Sequence, residues 1–100
     1  MDTLTAALAC AAMLTGLPGT HVPLPHWEQR ALTRQEQLHT DRPEAARALY
    51  DWRTKTIISP PNDWPALVHE MVHHLEFANH YHFSESRAES AELYASSCWR

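Results

Sequence analysis

Two histidines four residues apart, the first followed by a glutamate, stand at His69-Glu70-Met71-Val72-His73. On an α-helix such a pair is turned by about 40° and lies one turn apart along the axis, so both imidazoles reach one cation. Glu70 falls about 100° round, at the rim of that face, where it meets a water on the ion rather than the ion itself. This set suits a Zn2+ that lowers the pKa of a water towards neutrality while the carboxylate takes its proton. Val68, Met71, Val72 and Leu75 cluster on the other side and form an apolar stripe for a core. A histidine-rich chain also produces the bare string by chance, and His74, His80 and His82 are further histidines nearby. The capped, amphipathic context is what carries the motif.

A catalytic zinc takes a third protein ligand and keeps one open position. Glu85, Glu89 and Glu92 are the candidates. If the motif helix runs to about residue 80 and the chain reverses by Ser84, a returning helix comes level with His73 after about four to eight residues. Glu85 arrives too early on that count, and Glu89 and Glu92 both stay open. His80 lies nearly three turns from His69, too far for the same ion. His74 is turned well away and reads as solvated or as a support to the ligands. His82, Tyr81 and Tyr94 are available as donors to a developing oxyanion, and nothing selects one.

The elements that must position these residues are legible in part. Asp63 is placed to cap the motif helix, with Pro65 in its first turn, and the pattern predicts helix from residue 64 to about 79. Ser84 caps a last helix to about residue 98. Alternation and β-branched residues predict a strand over residues 54–59, entered by a turn at 51–53 from a short partner around 48–50. Its edge could carry an extended peptide, or the strand could simply cover the core. Leu4, Leu8, Ala11 and Leu14 recur at helical spacing, with Thr3 as cap and Gly16 as stop. Residues 16–25 read as an extended connector, residues 27–39 as a short surface helix or a loop, and Asp41-Arg42-Pro43-Glu44 as a helix start.

The chain has 100 residues, 44% hydrophobic and 20% charged, with two glycines, which is one globular domain over residues 1–100 of α+β type. A net charge of −4 argues against a phosphate-binding surface and so against nucleic acid. The apolar run over residues 4–17 has no Lys or Arg ahead of it and is too short for a bilayer, which predicts a cytoplasmic chain with no membrane partner. The cysteines, Cys10 and Cys98, make no CxxC, so a thiolate zinc site is excluded; buried free thiols are expected, with pairing across the two ends left open. Four tryptophans could mark an apolar contact surface, but the oligomeric state is not legible.

Leu49-Tyr50-Asp51, Arg53-Thr54 and Thr56-Ile57, a short Pro-Trp segment, and then the run from Leu67 through His69, Glu70 and His73 to Leu75 together resemble a family. It is a family of small, largely uncharacterised bacterial zincin-like metallopeptidases of gluzincin type. The resemblance covers residues 48–99, with a weaker echo at Leu14-Thr15-Gly16-Leu17-Pro18. It implies a minimal zincin-like domain: an N-terminal helix, a short hairpin or strand, the HExxH helix and an antiparallel C-terminal helix. It also implies one Zn2+ per chain on His69, His73 and Glu89, the glutamate standing ten residues before Trp99, with Glu70 as general base and a peptide or protein as substrate. Leu93 stands where that family tends to have tyrosine. The other readings are a zinc-binding regulatory or interaction domain that does not hydrolyse, and a plain helical domain with surface histidines.

Overall fold

The computed structural model describes residues 2–98. It is an α+β fold of four helices and a small mixed sheet. The first helix, α1 (Thr3–Thr15), starts one residue earlier than the spacing suggests: Asp2 is the cap, its carboxylate accepting from the Thr5 amide. It stops at Gly16, whose φ of 74° is the left-handed conformation that glycine adopts at helix ends. The buried face of α1 is small, Ala6, Ala7, Cys10 and Ala11, so neighbouring helices approach its backbone closely.

Strands β1 (His26–Gln29), β2 (Leu49–Asp51) and β3 (Thr56–Ser59) form one sheet in the order β1-β3-β2. The hairpin expected from the β-branched run is present, with Tyr50 opposite Ile57 in antiparallel register. Two expectations change. Residues 26–29, read from sequence as the edge of a helix or loop, are a strand that pairs parallel with β3, Trp27 opposite Ile57. The Trp27 indole also donates to Ser59 Oγ at 2.9 Å. In consequence β3 is the central strand, buried throughout, and has no edge to offer a peptide. The outer edge of β2 takes over that possibility.

The helix expected to start at Asp41 is absent; that segment makes bends and turns. The helix lies earlier, as α2 (Arg34–Leu38), where Thr33 and Glu36 form a reciprocal capping box. Arg30 grips Glu36 with two hydrogen bonds of 2.8 Å, and this holds the Glu36 carboxyl down at about 2. The unfolded chain protonates Glu36 near 4.5, before the folded one does, so the pair's stabilisation is present above pH 4.5 and lost as pH falls towards 2. We expect Glu36→Gln to flatten that acid limb in thermal melts at successive pH values. The effect should stay below about 1 kcal/mol because the pair is near the surface.

The third helix, α3 (Trp64–Ala78), is capped by Asp63, which accepts from the Ala66 amide, and carries Pro65 in its first turn. Val68, Met71, Val72 and Leu75 are fully buried, as the apolar stripe requires, and α3 packs on α1, the sheet and the following helix. That helix, α4 (Glu85–Leu93), is capped by Ser84 as expected, but it ends at Tyr94 and gives way to one 3-10 turn, Ala95–Cys98. The break folds the chain back onto α1. Cys98 thereby reaches Cys10, with Cα atoms 5.8 Å apart, and the two form a disulfide. The expectation of free thiols is corrected, since the sequence could not show that the two ends converge. Among the described residues, no helix is long and apolar enough to cross a membrane.

Candidate metal centre

α3 places His69, Glu70 and His73 together, with one ligand atom from each within 4.8 Å of the others. They lie on the wall of a cleft of about 660 Å3. The chain reverses tightly after α3: the Tyr81 amide donates to Glu76 O at 2.8 Å and His80 takes a φ of 62°. α4 then returns alongside α3, and Glu85, Glu89 and Glu92, which share one helical face, all line the cleft. The facing wall is the segment 39–49, with Tyr50 and Phe83 beside it.

Each motif histidine is held from behind. His69 Nδ1 donates to Glu92 Oε1 at 2.7 Å, and Glu92 Oε2 accepts from Arg47 at 3.1 Å. Arg47 also bonds Asp63, the α3 cap, at 2.8 Å. His73 Nδ1 donates to Glu76 Oε1 at 2.7 Å; Glu76 is fully buried and also accepts from the Ser84 amide and the Arg87 guanidinium. Both rings thus turn Nε2 into the cleft. There both meet the same carboxylate: Glu85 Oε1 is 3.0 Å from His69 Nε2, and Glu85 Oε2 is 3.0 Å from His73 Nε2. Glu89, by contrast, is half exposed and faces Arg42 at 3.8 Å.

Glu70 is buried, its carboxylate 3.9 Å from His69 Nε2. Burial pushes its carboxyl up to about 7; the two imidazoles pull it down, and Glu85 and Glu92 push it up further. At His69 burial opposes the charged form, but the carboxylates of Glu70, Glu92 and Glu85 outweigh it and raise the pKa.

Several expectations about the surroundings change. His74 is buried rather than solvated: its Nε2–H donates to Pro23 O at 2.7 Å, and its Nδ1 accepts from Tyr50 OH at 2.8 Å. Burial lowers its pKa. It ties the connector and β2 to α3, and so supports one wall of the cleft. Tyr81, His82 and Tyr94 are exposed and do not line the cleft, whereas His39, Arg42, Arg47 and Tyr50 do. Glu76 and the bridging position of Glu85 were missed from sequence. Glu76 was findable, since it stands three residues after His73 on the same helix and so within reach of its ring.

The class of protein these features define is an α+β domain with a His-Glu-His group able to hold a metal ion. No family model matches the chain, and neither a curated protein nor a solved structure matches it significantly.

Proposed function

We propose that this protein is a zinc-dependent peptide hydrolase of zincin-like, gluzincin type. The observation that carries the reading is that both motif histidines have Nδ1 fixed on a carboxylate and Nε2 aimed at one point beside Glu70. Metal-binding histidines are oriented in this way, and two imidazoles with a carboxylate are a donor set that suits zinc. His69 and His73 would hold the ion, with a third carboxylate from α4, for which the resemblance implies Glu89. When bound, zinc supplies a Lewis acid that polarises a carbonyl and makes water a nucleophile at neutral pH.

The remaining steps belong to the chain. Glu70 takes a proton from the attacking water and passes it to the leaving amine. The outer edge of β2 and the segment before it, which line the cleft, hold an extended peptide across the site by strand addition. Glu92 and Glu76 keep the two imidazoles from rotating. A disulfide between residues 88 apart persists in oxidising surroundings, which argues against the cytoplasmic location expected from the N-terminal segment.

Metal analysis of untagged protein by mass spectrometry tests the reading. We expect one zinc per chain in the wild type and none in His73→Ala. Wild-type protein without metal, after incubation with Zn2+ and gel filtration, would sink it and leave a helical domain with a chance motif.

A further inference from the structure

Three carboxylates on or beside α4 compete for the third place on the metal, and the cleft distributes them by their partners. We infer that Glu85 is the third protein ligand and that Glu92 and Glu76 are positioning residues for His69 and His73; this rests on the zinc reading above.

Glu92 is committed elsewhere. One of its oxygens accepts from His69 Nδ1 and the other from Arg47, so it already holds the back of the ring whose front would bind the ion. Glu89 lies one turn along α4 from Glu85 and faces Arg42 rather than either imidazole. Glu85 alone reaches both Nε2 atoms, each at 3.0 Å, and these are its only ion-pair contacts among the described residues.

The hydrogen-bond roles sharpen the point. Glu92 and Glu76 accept through both oxygens, so each holds its ring by Nδ1 and leaves Nε2 facing the cleft. Both Nε2 atoms and the Glu85 carboxylate then meet at 3.0 Å, with His69 Nε2 in hydrogen-bond contact with Glu85 Oε1. One divalent cation between them would take the place of those contacts and engage all three. The spacing agrees: with metal–ligand bonds of about 2.0–2.1 Å, two donors on a tetrahedral zinc stand about 3.3 Å apart. Glu70 is left outside the ligand set, beside the open position, where a base belongs.

The test is a Zn2+ titration of metal-free protein against a chromophoric chelator, with Co2+ absorption as a second readout. Glu85→Gln should weaken Zn2+ binding by more than about 100-fold and change the intensity of the Co2+ visible bands, because a ligand is lost. Glu92→Gln and Glu76→Gln should weaken binding by about 10–100-fold, the range for residues that orient a ligand, with the bands little changed. Glu89→Gln should stay within about 3-fold of wild type. Glu85 is half exposed, so its variant should melt like wild type without metal, and equal melts exclude misfolding as the cause. Loss of binding in Glu89→Gln with retention in Glu85→Gln would overturn the assignment while leaving a zinc protein. A wild type that takes up no Zn2+ would instead overturn the hydrolase reading.

Discussion

Glu70→Gln is expected to slow peptide cleavage by about 10²–10⁴-fold while the protein keeps one zinc per chain, the range that general-base catalysis supplies. Glutamine matches the shape of glutamate but cannot take a proton from water. Its position makes the separation clean, because Glu70 stands beside the two Nε2 atoms without holding either ring. The variant should also fold at least as well. With its carboxyl pushed up to about 7, Glu70 stays protonated in the folded chain while the unfolded chain ionises near 4.5. Stability is therefore lost as pH rises from 4.5 to 7, and the cost is fully present above 7. Metal-free Glu70→Gln should accordingly melt no lower than metal-free wild type at pH 8. Cleavage of a peptide library, zinc content and the metal-free melt are the three measurements. Cleavage at wild-type rate with zinc retained would remove Glu70 as the base.

The motif helix and its immediate supports were legible because their signals are local. Asp63, Pro65 and the stripe from Val68 to Leu75 specify α3 within one stretch of chain, and Ser84 does the same for the start of α4. The hairpin of β2 and β3 is local too. Thr33 and Glu36 carried a capping-box signal for α2 that the Asp41-Arg42-Pro43-Glu44 pattern obscured. β1 was not legible, because four polar-flanked residues become a strand only through parallel pairing with a partner thirty residues on. The position of Glu85 was not legible for a different reason. Counting residues from His73 assumed a wide turn, whereas the backbone between Glu76 and Ser84 closes tightly, with His80 in a left-handed conformation and the Ser84 amide on the Glu76 carboxylate. That brings Glu85 level with both histidines at the first position of α4. Glu76 thus holds a ring and also sets the turn that delivers the opposing carboxylate.

Breaking the disulfide should have the largest effect on stability of any change to this chain. Cys10 and Cys98 are 88 residues apart, so the link constrains nearly the whole unfolded chain. On the loop-closure model that is worth about 4–5 kcal/mol, and measured losses for small domains run about 2–5 kcal/mol. For a domain of this size each kcal/mol moves Tm by about 4–8 °C, so reduction or Cys10→Ser with Cys98→Ser should lower Tm by on the order of 10–30 °C. The consequences reach the site by a defined route. The 3-10 turn carrying Cys98 also carries Ala95, whose carbonyl accepts from the Trp64 indole at 2.8 Å, at the first residue of α3. Freeing the turn therefore loosens the start of α3 and the end of α4, where Asp63, Arg47 and Glu92 hold His69. On the proposed zinc reading the metal would oppose this, because a ligand that binds only the folded state adds about 2.7 kcal/mol at 100 times its Kd. The reduced protein should regain part of its lost Tm in saturating Zn2+, and the His73→Ala variant should regain none. Oxidised and reduced wild type melting within about 2 °C of each other would show that the 3-10 turn docks on α1 without the covalent link.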